Sequence, residues 1–345
     1  MPSLQRRIDR FFKSRSATIQ RLKIPLLERL ALVRRHGNFS LAYSSAVQRG
    51  LHYYGDEGGY IAYGTKAQFH FALGDPVVSA SDAADYVGRF VAAAGSPTFV
   101  QVGLRTAQQL AGLGYKVNRL GIETKLLLPA HDFSGTRNET VRYSERWLLK
   151  KGFTFTEDKN NTFLDEVSRL SENWRGERLV KRWEMAFLNR PFANHVGTDM
   201  RRFVLRGPEG DLTAILDFDP MFLDGKLAGY TTAFKRKQIG ATSHSEVGLT
   251  KFAVDRFRQE GISVVSLGLS PMLAVEPSGF LESDFWRVAF RHAYRSPWVN
   301  RSRFNLQGQA AFKRRFHGLE EPTYIAFRKG SVMEVLNLLR LIKAF

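Results

Sequence analysis

From about residue 39 to residue 155, short apolar runs of strand length alternate with longer runs of helical period, and the alternation starts again near residue 163. A chain patterned this way has one economical solution, a sheet covered by helices, so the expected fold class is α/β. In the first stretch FSLAYS, GGYIAYG, AQFHFALGDPV, TFVQVG and ETKLLLPA read as strands, with helices over Ala83 to Ala94 and from Thr106. Residues 136 to 151 read as a basic helix stopped by Gly152. The second stretch opens with a helix near 163 to 173 and a further basic one. The strands DMRRFVLRG, DLTAILDFDP and LAGYTTAFKR follow, then a helix over 244 to 260 and the strand SVVSLGLSP. The halves share an order of elements rather than residues, which suggests two copies of one unit.

A length of 345 residues suits two domains of about 150 to 170 residues. The expected division is a basic arm over 1–36, a first domain over 37–155, a second over 156–330 and a C-terminal amphipathic helix over 331–345. The arm carries ten Arg or Lys against Asp9 and Glu28, a large share of the net +18. Leu4, Ile8, Phe11, Phe12, Ile19 and Leu22 give it helical spacing, and Pro25 separates a second helix with Leu26, Leu27, Leu30 and Val33. Two uses fit: a helix packed on its own domain, or a basic amphipathic segment on an anionic membrane surface.

The excess of Lys and Arg favours polyanionic partners through long-range attraction and counterion release. Cysteine is absent, which excludes disulfides, thiolate nucleophiles and Cys-ligated metals. No run approaches the roughly 20 apolar residues that span a bilayer, and no signal-peptide core is visible at the start, so a cytosolic location is expected. The eight His residues form no close ligand cluster, and no metal is expected.

Four places could carry chemistry. KQIGATSHSE, ahead of a helix, is loosely like the turn that holds a pyrophosphate in N-acetyltransferase-type folds, but Thr242 stands where Gly or Ala belongs. Ser243 or Ser245 would equally cap that helix, and His244 near Glu246 is a candidate base. SLGLSPM leaves a buried strand with small residues and offers Ser270 as a hydrogen-bonding group. Residues 295–317 hold Arg295, Arg301, Arg303, Lys313, Arg314 and Arg315 without one acid, interleaved with Trp298, Phe304, Phe312 and Phe316. That composition fits phosphate contacts with aromatic stacking, and it fits a solvated basic face equally well.

Taken in order, GGYIAYGTKAQFHFALGDPV, LGYKVNRLGIETKLLLPAHDFSGTRNETVRYSERWLLKKGF, SVVSLGLSPM and FNLQGQAAFKRRFHGLEEPTYIAF resemble the cytosolic synthase domain of aminoacyl-phosphatidylglycerol synthases, the multiple peptide resistance factors. The resemblance runs from about 40 to 328. It implies tandem acetyltransferase-like folds, joined by a basic helix, that move an aminoacyl group from aminoacyl-tRNA to a lipid hydroxyl without coenzyme A. Carried over, Asn305, Gly308 and Lys313 match one family motif, with Gln309 in place of its Leu and Arg315 in place of its second Lys. A second motif, D-x-x-R, falls on Ala233 to Arg236, keeping the Arg and losing the Asp.

The candidate catalytic residues are thus Arg236 and Lys313, which the resemblance implies, with Glu246 beside them; the candidate substrate contacts are Asn305 and Gly308, also from the resemblance, with Ser270 and His244 from the residues themselves. Arg301, Arg303, Arg314 and Arg315 would meet tRNA phosphates. The multi-helix membrane domain of the long family members has no counterpart in this sequence, and the basic arm is expected to tether the protein to the cytosolic face instead. Two other functions stay open at the sequence level: a coenzyme A-dependent N-acyltransferase, and a membrane- or RNA-binding relative without chemistry.

Overall fold

A computed structural model describes residues 19–176, 186–197, 199–302 and 304–344. Among the described residues eleven strands form one sheet, in the order β1-β2-β3-β4-β11-β5-β10-β9-β8-β7-β6. On the first-half side lie β1 (His52–Asp56), β2 (Gly59–Lys66), β3 (Phe69–Leu73) and β4 (Thr98–Val102). On the second-half side lie β6 (Thr154–Glu157), β7 (Arg201–Arg206), β8 (Leu212–Leu223), β9 (Lys226–Lys237) and β10 (Val264–Pro271). Between them sit β5 (Lys116–Leu127) and β11 (Leu319–Phe327), side by side and antiparallel.

The two halves do share an order. In each, antiparallel strands lead to one parallel pair joined by a crossover helix: β3 and β4 through α3 (Ala83–Ala94), β9 and β10 through α7 (His244–Gln259). The strand that ends each half then crosses to the other, since β5 pairs with β10 and β11 pairs with β4. Both central strands are therefore hydrogen-bonded along both edges.

Helices cover both faces. α5 (Glu139–Lys150) and α7 pack with the faces of β7 to β10 in a core of Leu148, Phe203, Phe218, Val254 and Phe257. α3 and α4 (Leu104–Gly112) close the first-half core around Phe90, Phe99, Leu110 and Tyr115. On the opposite side of β8 and β9 lie α1 (Leu26–His36), α2 (Ala42–Val47) and α6 (Leu164–Gly176). The remaining helices are α8 (Asp284–Arg295), α9 (Pro297–Ser302), α10 (Leu306–Arg314) and α11 (Val332–Leu341). α11 starts in a capping box between Ser331 and Glu334 and buries Val335 and Leu338 in the body of the protein.

Two local expectations fail for physical reasons. FSLAYS forms no strand: residues 42–47 are helical, and Ala42, Tyr43, Ser44, Ser45 and Ala46 are all buried, so no alternation of faces exists to separate the two conformations. Ile19 to Ile24 are not helical, because the chain there runs along β1, with Leu22 N–H donating to the Tyr53 carbonyl. The rest of the first expected arm helix, before residue 19, lies outside the described residues, as does the basic helix expected after 176. The second arm segment is α1, which buries Leu32 and Val33 and leaves Leu27 80% exposed.

Candidate active site

The parallel pair β9 and β10 stays together for only three register pairs, Val264 with Gly229, Val265 with Tyr230 and Ser266 with Thr231. Their contact there is close: a Cβ on Gly229 would lie 2.4 Å from the Val264 carbonyl oxygen. Beyond Ser266 the strands part. β10 bulges between Ser266 and Leu269 and follows β5, with Gly268 at φ 77°, a conformation glycine takes without steric cost. β9 stays with β8 and bulges too: Asp217 faces Phe234 and Phe218 faces Thr232, leaving Ala233 as the extra residue.

Lys313 fills the gap between the parted strands. It comes from the last turn of α10, whose first turn is fixed by Asn305, the side chain of which accepts the Gly308 N–H at 3.0 Å. Gly308 is needed for that cap, since a Cβ there would lie 2.4 Å from the Asn305 amide. Lys313 Nζ donates to the Leu269 carbonyl at 2.6 Å, and a Cβ on Gly268 would lie 3.7 Å from Nζ and 3.6 Å from Thr232 Oγ1. Loss of surrounding water, and then the charge of Lys235, push Lys313 down to about 7, against the pull of Glu123. An amine so placed is substantially neutral near neutral pH and able to accept a proton.

Lys235 lies over the Phe312 ring with Nζ 3.3 Å from the centroid, and 3.4 Å from Glu246 in the first turn of α7. Loss of water holds Lys235 below its ordinary value, with Glu246 opposing the shift. Lys237 approaches the other Glu246 oxygen at 3.7 Å. On the far side, Leu269 pairs across the sheet with Glu123, which accepts from Ser266 Oγ at 2.6 Å. Ser270 Oγ is buried with no hydrogen-bond partner among the described residues.

Of the residues singled out in the sequence, Lys313 enters the gap, Glu246 is linked to it through Lys235, Ser270 follows the Leu269 that Lys313 bonds, and Asn305 and Gly308 hold the helix that delivers Lys313. Arg236 is elsewhere. As the next residue after Lys235 it points to the opposite face of β9, and the Ala233 bulge puts it on the opposite face from Thr232 as well; there it donates to Ser171 of α6 and lies 3.8 Å from the Phe192 ring centroid. Beside it run two buried ion pairs, Arg202 with Asp217 at 2.7 Å and Arg190 with Asp219 at 2.9 Å. His244 is also engaged elsewhere: its Nδ1 lies 3.0 Å from Ser144 Oγ and its ring packs against Tyr143 and Trp147, docking α7 on α5.

Arg301 and Arg315 are exposed, Arg314 pairs with Glu320 at 2.8 Å, and Arg303 lies outside the described residues. The turn before α7 places Ser243 at the cap position without a side-chain cap bond. Lys235 and Glu123 were missed from sequence. The alternation Glu123-x-Lys125 inside an apolar strand was the available signal for the latter. Among the described residues no His, Asp and Glu group could hold a metal ion, and no helix is long and apolar enough to cross a membrane.

The fold is that of lipid-modifying synthetase domains. The C-terminal domain of a putative lysylphosphatidylglycerol synthetase from Agrobacterium fabrum matches with TM-score 0.76 at 23% identity, over 92% of this chain and 96% of that one. L-PGS from Bacillus licheniformis matches with TM-score 0.77 at 20% identity, over 95% and 99%. FemX matches more distantly, with TM-score 0.53 at 12% identity over 94% and 100%. Residues 30–327 match the family described as phosphatidylglycerol lysyltransferase, C-terminal, and the chain belongs to that family. Membership agrees with the α/β class and the resemblance drawn from the sequence, and it supports a transferase that moves an aminoacyl group onto lipid. No curated protein matches the chain.

Proposed function

We propose that this protein transfers an aminoacyl group from aminoacyl-tRNA to the hydroxyl of phosphatidylglycerol or a related lipid, at the cytosolic face of the membrane. The observation that carries the proposal is the Lys313 amine, held at about 7 in the gap between β9 and β10. The tRNA ester is already activated, so the protein has to bring the two reactants together, move one proton and stabilise one negative charge.

Lys313 takes the proton of the lipid hydroxyl as its oxygen bonds to the ester carbonyl carbon. Lys235, opposite Glu246, faces the negative charge that forms on the carbonyl oxygen. Collapse breaks the bond to the ribose oxygen, which takes the proton back from Lys313, so no external reactant is consumed. Ser270 offers a hydrogen bond to the bound ester, and Arg301, Arg303, Arg314 and Arg315 meet the phosphates of the tRNA end. Arg236 and His244 act as positioning residues, one fixing β9 from behind and the other fixing α7, which carries Glu246.

The net +18 and the basic segment over 1–36 support attachment to anionic lipid. The division at 36, 155 and 330 stays part of this proposal. The test is to incubate the protein with labelled aminoacyl-tRNAs and bacterial lipid and examine the organic phase. A labelled lipid lost with Lys313→Met is expected; no labelled lipid with any amino acid overturns the proposal.

A further inference from the structure

A cleft of about 500 Å³ opens where β4, β11, β5, β10, β9 and β8 end together. In a strongly basic protein its wall is acidic: Asp75, Glu123 and Glu321 line it against one cation, Lys125. Lys125 Nζ holds Glu321 at 2.7 Å, Ser266 holds Glu123, and the Gly103 N–H, at the start of α4, donates to Asp75 at 3.0 Å. One wall group has no partner among the described residues. Thr323 is 5% exposed and its Oγ1 has no hydrogen bond, although it lies on the same face of β11 as Glu321 and lines the cleft. A buried hydroxyl left in this state has lost its water without a replacement, and a bound ligand with a donor or acceptor would supply one.

The mouth is apolar. Leu104 and Leu223 line it while 52% and 50% exposed, and Leu127, Leu227 and Leu319 stand exposed at the neighbouring strand ends. Exposed leucines ringing a charged hole suit an amphiphile whose polar end enters first. Three carboxylates against one lysine select a head with a cationic hydrogen-bond donor. Lys125, the one cation of the wall, gives an anionic phosphate next to that donor a counter-charge.

We propose that this cleft binds a lipid carrying a primary ammonium head, with the ammonium among Asp75, Glu123 and Glu321, bonded to Thr323, and the acyl chains on the leucines. The proposal rests on the lipid-substrate reading above. Two lipids share the chemistry, the aminoacylated product and an amine-headed phospholipid.

Calorimetry on the full chain uses three probes below their micelle concentrations: dihexanoyl phosphatidylethanolamine, alanyl dihexanoyl phosphatidylglycerol and dihexanoyl phosphatidylglycerol. At least one amine lipid is expected to bind about tenfold or more tighter than the amine-free lipid, and whichever does identifies the source. Thr323→Val and Glu321→Gln should each weaken that lipid by roughly tenfold, the loss of one hydrogen bond to a charged group. Leu223→Ser should weaken it while leaving free ethanolamine unaffected. Equal affinities for the amine and amine-free lipids, no binding of any probe, or unchanged affinity in both polar variants with unaltered melting would overturn the proposal. If aminoacyl transfer is absent while the amine preference persists, the transferase reading fails alone; transfer without the preference sinks this site alone.

Discussion

Replacing Lys313 by Met should make the protein more stable and less active, with a stability gain that depends on pH in a calculable way. The Lys313 amine sits at about 7 in the native protein and near 10.5 in the unfolded chain. Below pH 7 both states bind the proton, and the native state bears the full cost of holding the charge away from water. Between pH 7 and about pH 10 the unfolded chain holds a proton that the native protein has released, so native stability rises with pH at about 1.4 kcal/mol per unit. Methionine has no such proton. Its advantage over lysine should therefore shrink by about 2 kcal/mol between pH 7 and pH 9, a little under two units of that slope because the native amine is half-protonated at pH 7. The substitution also strips the Leu269 carbonyl of its donor, a cost of about 1 kcal/mol that does not vary with pH and cannot imitate the slope. Urea unfolding of both proteins at pH 6, 7, 8 and 9 measures the difference. A constant gap across the series would show that Lys313 is an ordinary charged lysine and would remove the proton acceptor from the proposed chemistry.

In the wild-type protein, the transfer rate should rise with pH through a single ionisation near 7, while Lys313→Arg, charged throughout, should be slower by about 100-fold or more without that ionisation. Gly308→Ala should cost roughly 1 kcal/mol in melting experiments and lower the transfer rate together with it, because the cap that aims α10 is displaced. Asp217→Ala strands the buried Arg202 guanidinium and should cost about 3–5 kcal/mol in urea unfolding. Arg236→Lys should destabilise the protein measurably and leave the pH midpoint of transfer in place, since the side chain lies behind β9 and not in the gap.

The periodic segments were legible. The helices at 83–94 and over 139–150, the helix from 244, and strands β7, β8, β9 and β10 follow from spacing alone, because each has one wet or differently packed face. Residues 42–46, buried throughout, gave no such contrast. For the site, Lys313 was visible from the resemblance, but the separation of Arg236 from it was not. One bulge residue, Ala233, reverses which side chains of β9 share a face, and nothing in a run of twelve strand residues marks it. Glu123 and Glu321 meet only through strand pairing between distant parts of the chain, so their convergence belongs to topology rather than to any motif.

The exchange of β5 and β11 bears on how the protein is made. When β4 and β5 have left the ribosome, the place between them has to stay open, because its occupant is about 190 residues further along the chain. The first half therefore spends much of translation with two central strand edges uncovered, a state prone to wrong pairing. Its completion waits for residues 319–327. A ribosome stalled before them would hold a nascent chain that has most of its helices and ten strands, yet no closed sheet and no Lys125–Glu321 pair.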